Sequence, residues 1–131
     1  MTITYQNNAA RIDWAALKAA LQTNHFDNGR TPEQLERSFQ NSHALCIAWS
    51  GNDVVGTARV LSDGVCNAYL IDVWTLSRFR RQGIASEMIR RLCAGLNGQH
   101  VYLQADADNS DFYRHIGFVE QPGDMSRIIG R

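Results

Sequence analysis

The sequence carries no excess of charge: 13 lysines and arginines balance 13 aspartates and glutamates over 131 residues. A general electrostatic grip on nucleic acid or on an anionic membrane is therefore not expected. No apolar run approaches the roughly 18 residues that a membrane span needs. The stretch Met1-Thr2-Ile3-Thr4-Tyr5 has neither a basic n-region nor a long apolar h-region, so it does not read as a secretory signal. Cysteine is scarce. Cys46, Cys66 and Cys93 stand singly in apolar surroundings, with no C-x-x-C pair and no histidine at metal spacing. They read as small buried side chains in a reducing cytoplasm rather than as a catalytic thiol, and no metal is expected. Two phosphate loops are missing as well. There is no G-x-x-x-x-G-K-[ST], and G-x-G-x-x-G fails because Gly83 stands alone where three glycines are needed. No repeat, low-complexity tract or linker divides the chain. Its 44% hydrophobic and 20% charged content fits one soluble domain spanning 1–131, long enough for a single core.

What is present centres on Arg80-Arg81-Gln82-Gly83-Ile84-Ala85. Before it runs Tyr69-Leu70-Ile71-Asp72-Val73-Trp74-Thr75-Leu76, rich in β-branched and aromatic residues and therefore strand-like. After it, Ile84, Met88, Ile89, Leu92 and Leu96 recur at helical spacing. A strand, a basic turn with glycine and then a helix can hold an anion. The first helical turn has N–H groups without intrahelical partners, and the macrodipole places about half a positive charge there. Gly83 permits close backbone approach, Arg80 and Arg81 add formal charge, and the guest expected is a phosphate or pyrophosphate.

A second segment, Asp106 to Phe118, follows a strand predicted at His100 to Ala105. It reads as a polar helix start, a short helix carrying Phe112, Tyr113 and Ile116, and a stop at Gly117. Here the chain resembles the GNAT superfamily of N-acetyltransferases. Arg80-x-x-Gly83-x-Ala85 is similar to that family's [QR]-x-x-G-x-[GA] coenzyme A loop, and Phe112-Tyr113-x-x-x-Gly117-Phe118 to its second signature. The two occur in the family's order and at a family-like distance, and the resemblance covers roughly residues 43 to 120. Gly56-Thr57-Ala58-Arg59-Val60-Leu61-Ser62-Asp63-Gly64, with Asn67-Ala68 and Asp72-Val73, further resembles the cyanobacterial and plastid branch. That branch acetylates serotonin-type arylalkylamines, and also protein lysines and N-termini.

The remaining chain reads as a strand at Ile3 to Gln6 and a helix over Asp13 to Thr23 with Asp13 as its cap. Thr31-Pro32-Glu33-Gln34 starts a second helix through a capping box, ending near Asn41. Strands are predicted at 43–49 and from Val54 to Leu61, a tight hairpin turn at Ser62-Asp63-Gly64, and a last strand near Met125 to Ile129. The sum is a mixed α/β (α+β) sheet, mostly antiparallel, with about four helices. The GNAT resemblance implies in addition that its central parallel strands splay. Backbone of Val73, Trp74 and Thr75 would then pair with the pantetheine arm of acetyl-CoA as an added strand would.

Acetyl transfer to an amine needs a held thioester, a donor for the developing oxyanion, a neutral amine and an acid for the leaving thiolate. The resemblance assigns the acid to Tyr113, and the oxyanion donor to backbone N–H at Trp74 or Thr75. Arg80, Arg81, Gln82, Gly83, Ile84 and Ala85 would bind the cofactor's phosphates. Arg81 stands where the family usually has glycine, and Asp106 where many members carry asparagine. For the base, Asp72 lies mid-strand among apolar residues, where an unpaired carboxylate is costly. It is either structurally paired or the proton acceptor. Asp106 is the second candidate, ahead of His43 and His115. Trp74 shares its strand face with Asp72 and could wall an aromatic acceptor, although core packing is the plainer reading. The expectation is direct attack in a ternary complex on a small-molecule amine, with an arylalkylamine the type the branch resemblance implies, by a monomer or homodimer. A protein lysine or N-terminus is the second acceptor, and an idle acyl-CoA-binding domain the reading of another class.

Overall fold

The computed structural model describes residues 2–130. Its elements are β1 (Ile3–Gln6), α1 (Trp14–Thr23), α2 (Pro32–Gln40), β2 (Ala44–Ser50), β3 (Asp53–Ser62), β4 (Asn67–Thr75), α3 (Ile84–Cys93), β5 (His100–Tyr102) and α4 (Ser110–His115). A 3-10 turn at Ser77–Phe79 links β4 to α3. Local chemistry sets several ends. The Asp13 carboxylate accepts from the Ala16 N–H, and Thr31 and Gln34 form the full capping box ahead of Pro32. The β3–β4 hairpin is wound around Asp63, whose Oδ1 accepts N–H groups of Val65, Cys66 and Asn67 at 2.8, 2.8 and 3.2 Å.

The strands lie in chain order, β1-β2-β3-β4-β5. Pairing is antiparallel as far as β4, and β4 with β5 is parallel. This is the mixed sheet with four helices that the sequence implies. One face packs against α3 and α4 through Ile84, Met88, Ile89, Leu92 and Tyr113. The other packs against α1 and α2 through Leu17, Leu21, Leu35 and Phe39, and carries Trp74. Full burial of each such large apolar side chain is worth about 1.5–3 kcal/mol. On the first face α3 descends onto Gly56, where an added Cβ would lie 3.1 Å from both Ile84 Cγ2 and Met88 Cε. The missing side chain lets the start of α3 sit low over the sheet.

Alternation breaks in β4. Thr57 faces Trp74 and Arg59 faces Ile71, so Asp72 and Val73 together oppose Ala58 alone. This is a β-bulge, with Asp72 in the left-handed region at a φ of 54°. Leu70 accordingly packs toward α3, while Trp74 packs toward α1 and α2.

Three expectations need correction. β5 stops at Tyr102 instead of reaching Ala105. No strand forms near Met125 to Ile129. Met125 is 96% exposed and Ile129 76%. Strand propensity acts only where a neighbouring edge supplies hydrogen bonds, and this segment lies against none. Finally, Cys66 is exposed on the hairpin loop, whereas Cys46 is buried and Cys93 half-buried.

Candidate active site

The basic loop holds its shape through backbone geometry. Arg80 is extended and its Nε donates to the Thr75 carbonyl at 3.2 Å, which ties the loop back to β4. Arg81 and Gly83 are both left-handed, at φ 64° and 81°. Left-handed backbone is strained for a side-chain-bearing residue, so glycine would occupy the Arg81 position without that cost. Gly83 caps α3 without any side-chain cap, and a Cβ placed on it would meet nothing within 4 Å. Among the described residues the first N–H groups of α3 have no hydrogen-bond partner, and exposed Arg80, Arg81 and Gln82 stand beside them. Ile84 is buried and anchors the helix start, and Ala85 is half-buried behind it. Glu87 brings negative charge into this turn, but hydrogen bonds from Arg90 and then Arg91 hold its carboxyl down to about 2 and match its charge. The surroundings suit a doubly charged phosphate group.

Beside this loop runs an open strand edge. The last β4–β5 pair is Tyr69 with Tyr102, so Leu70 to Thr75 have no strand partner on that side among the described residues. The strands part there, and the stretch that follows β5 leaves the sheet. The edge reaches Val73, Trp74 and Thr75 and ends at the Arg80 contact. Val73 packs into the α3 core. Trp74 is 2% exposed, and its Nε1 donates to Asn24 Oδ1 at 3.0 Å. It is a core residue rather than the wall of an acceptor pocket.

Tyr113 shares the α3-side core with Ile84 and Val73. Its ring meets Phe112 and Phe118 edge-on, at centroid distances of 5.0 and 6.0 Å. Burial pushes its phenol pKa up, and the Asp106 charge adds to the rise. Among the described residues its hydroxyl has no hydrogen-bond partner, yet it is not sealed from solvent. Asp106 is exposed and organises the start of α4. Its Oδ1 accepts the N–H groups of Asp108 and Asn109 at 2.9 and 3.2 Å, while Asn109 Oδ1 accepts the Asp106 N–H at 2.9 Å. His43 and His115 are both exposed.

Asp72 lies apart from this group. Its side-chain partners belong to the α1–α2 side of the sheet, and both of its oxygens are engaged. Arg30 forks onto it at 2.9 and 3.1 Å, and Arg59 Nε donates to Oδ2 at 2.6 Å. Removing one partner from a buried ion pair typically costs about 3–5 kcal/mol. Both carboxylate oxygens are already taken up by guanidinium donors. Of the two alternatives, structural pairing is the one the geometry favours. Nothing in the sequence around Asn24 and Arg30 marks them as partners of this strand. The signal for Arg59 was legible, because an arginine within Ala58-Arg59-Val60 needs an anion, and the hairpin returns β4 opposite it.

A cavity of about 880 Å³ opens along β5, lined by Tyr102, Gln104, Tyr113, Arg114, Phe118 and most of the 119–125 stretch among others. It touches Tyr113 but neither Val73–Thr75 nor the Arg80–Ala85 loop. The basic turn thus lies at the surface, outside this cavity.

Residues 11–118 match the model of the acetyltransferase (GNAT) family. The chain belongs to the GNAT family. Among solved structures, a candidate acetyltransferase from Deinococcus radiodurans R1 is similar with a TM-score of 0.84 at 25% identity, over 95% of this chain and 87% of that one. The GNAT family protein SP0256 of Streptococcus pneumoniae TIGR4 gives 0.82 at 25%, over 99% and 100%. Glucosamine-6-phosphate N-acetyltransferase of Arabidopsis thaliana shares the fold, at 0.79 and 18% identity, over 98% and 99%. No curated protein matches the sequence. Among the described residues no helix is long and apolar enough to cross a membrane.

Proposed function

We propose that this GNAT protein is a cytoplasmic N-acetyltransferase that moves the acetyl group of acetyl-CoA onto a small primary amine by direct attack in a ternary complex. The observation that carries the reading is one juxtaposition. An uncapped helix start with left-handed Arg81 and Gly83 adjoins the unpaired edge of β4, and a partly buried, unpartnered tyrosine hydroxyl sits in the core behind them. Arg80, Arg81, Gln82 and the backbone from Gly83 to Ala85 hold the phosphates. Val73, Trp74 and Thr75 offer main-chain groups to the pantetheine arm, and an N–H at Trp74 or Thr75 faces the developing oxyanion. Tyr113, kept neutral by burial, protonates the departing thiolate. The amine's proton goes to Asp106, directly or through water, because among the described residues Asp106 Oδ2 has no partner whereas both oxygens of Asp72 are engaged.

The acceptor favoured is an arylalkylamine, on the likeness of Gly56 to Gly64 and Asp72-Val73 to the cyanobacterial and plastid branch. With Trp74 in the core, its aromatic group must be received elsewhere. A thiol-release assay with acetyl-CoA and a panel of arylalkylamines, polyamines, amino sugars and lysine peptides tests the reading. Turnover with a small amine supports it. Coenzyme A binding without thiol release from any amine would identify an idle acyl-CoA-binding domain instead.

A further inference from the structure

Asp72 has a task that the reaction scheme above leaves unused. The loop between α1 and α2 reaches the bulged end of β4 and is fixed there at two points. Asn24 takes the Trp74 indole N–H at 3.0 Å and donates to Ser77 Oγ at 3.0 Å. Arg30 forks onto Asp72, and its remaining Nε donates to the Asp27 carbonyl within the same loop at 3.0 Å. Asp27 in turn pairs with Lys18 on α1. Arg59 holds Asp72 from β3 and also donates to the Ser38 carbonyl on α2. The Asp72 main chain is pinned as well, since Thr57 Oγ1 donates to its carbonyl at 2.9 Å. His25, Asn28 and Gly29 are left-handed, at φ 55°, 55° and 71°, and short-range backbone bonds such as Phe26 N–H to the Leu21 carbonyl and Arg30 N–H to the Asp27 carbonyl turn the loop, so these anchors add to its local hydrogen bonding.

The arrangement has a directional consequence. Where β4 parts from β5, α3 and its basic turn occupy one face of the sheet. The 24–31 loop borders the same strand end on the other face.

We propose that Arg30 and Asp72 are positioning residues: the Arg30–Asp72–Arg59 ion triad clamps the 24–31 loop onto the β4 bulge and so sets the amine-binding lip against the acetyl-bearing strand edge. This rests on the acetyl-transfer reading. The two anchors separate the effects. Losing Arg30 releases one anchor of the lip while Asn24 still holds the other, and leaves Asp72 held by Arg59 and Thr57. Losing the Asp72 charge loosens both the lip and the bulge.

The test compares Arg30→Met, Arg30→Lys and Asp72→Asn, using tryptamine as the probe amine and full pH–rate profiles. Arg30→Met should raise the amine KM about tenfold or more, the scale of a lost charged hydrogen-bond pair, with the acetyl-CoA KM within about twofold. Arg30→Lys, which keeps charge without the fork, should fall between it and wild type. Asp72→Asn should raise both KM values and keep the acidic limb. A merely structural role would lower the yield of active enzyme and leave both KM values unchanged, which would overturn the proposal. Loss of the acidic limb in Asp72→Asn with unchanged KM values would make Asp72 the base and overturn it equally. Amide hydrogen exchange on the unliganded proteins reads the clamp without any amine. Exchange over 24–31 should quicken about tenfold in Arg30→Met while exchange over 70–75 is unchanged from wild type. Unchanged exchange would refute the clamp. If wild type released no thiol with any amine, acetyl transfer itself would fail, and the exchange result would still judge the clamp.

Discussion

Arg80 Nε donates to the carbonyl oxygen of Thr75 at 3.2 Å, joining the basic loop to the last residue of β4. The contact aims the guanidinium and leaves both terminal nitrogens free, so Arg80 is held ready before an anion arrives. Charge-assisted hydrogen bonds are worth about 1.5–3 kcal/mol, so Arg80→Ala should weaken acetyl-CoA binding by roughly ten- to a hundredfold. The change should appear in Kd by calorimetry and in the acetyl-CoA KM, with kcat nearly unaltered. An unchanged Kd would remove Arg80 from the cofactor site.

Arg81 makes the opposite trade. A side-chain-bearing residue in the left-handed region is strained by about 1–2 kcal/mol, and glycine's extra freedom in the unfolded chain offsets about 0.5–1 of that. Arg81→Gly should therefore raise the unliganded Tm by about 2–4 °C. The same change removes a positive charge from the cradle, so acetyl-CoA affinity should fall. A rise in Tm with a fall in affinity is the expected pair of results. A lower Tm would mean that the arginine side chain makes contacts that outweigh its backbone strain.

Much of this was legible in the chain, because the informative signals were local. The capping box at Thr31 to Gln34, the Asp13 cap and the strand–turn–helix around Gly83 each depend on residues close in sequence, and each forms. Asp72 illustrates the boundary. Its need for a partner could be read from its apolar strand, and one partner, Arg59, follows from hairpin pairing. Arg30 arrives from a loop 42 residues away, and no periodicity announces it. The bulge that turns Trp74 onto the other face is likewise a property of two strands together, not of one. The segment Met125 to Ile129 failed for the same reason, as strand-like composition does not supply an edge to pair with.

The cysteines offer a check on burial. Desolvation pushes the Cys46 thiol up to about 11, and burial also raises that of Cys93. Cys66 is exposed on the β3–β4 hairpin loop. Iodoacetamide at pH 8 should thus modify Cys66 first and reach Cys46 only on unfolding, because the thiolate is the reactive form. Peptide mass mapping over time would show the order. Acetyl transfer should survive labelling of Cys66, and its loss would reopen the case for a catalytic thiol.

Tyr113 makes the sharpest chemical prediction. Burial, and after it the Asp106 charge, raises its pKa above the ordinary 10.0, so the phenol stays protonated wherever the enzyme works. For stability the sign follows from linkage. The folded form keeps the proton to higher pH than the unfolded form, so this contribution is intact below pH 10 and is lost as pH climbs through the folded-state value. For catalysis, Tyr113→Phe should lower kcat by about 10²–10⁴ with little change in acetyl-CoA affinity, since only the acid for the thiolate is removed. A basic limb due to Tyr113 should lie above pH 10. Asp106→Asn should move that limb down, because one of the two causes of the upward shift is gone, and should abolish the acidic limb if Asp106 takes the amine's proton. Using an acetyl thioester with a more acidic thiol should restore much of the lost rate to Tyr113→Phe, because such a thiolate departs without an acid. Failure of that rescue, with kcat still depressed, would move Tyr113 from proton donor to packing residue.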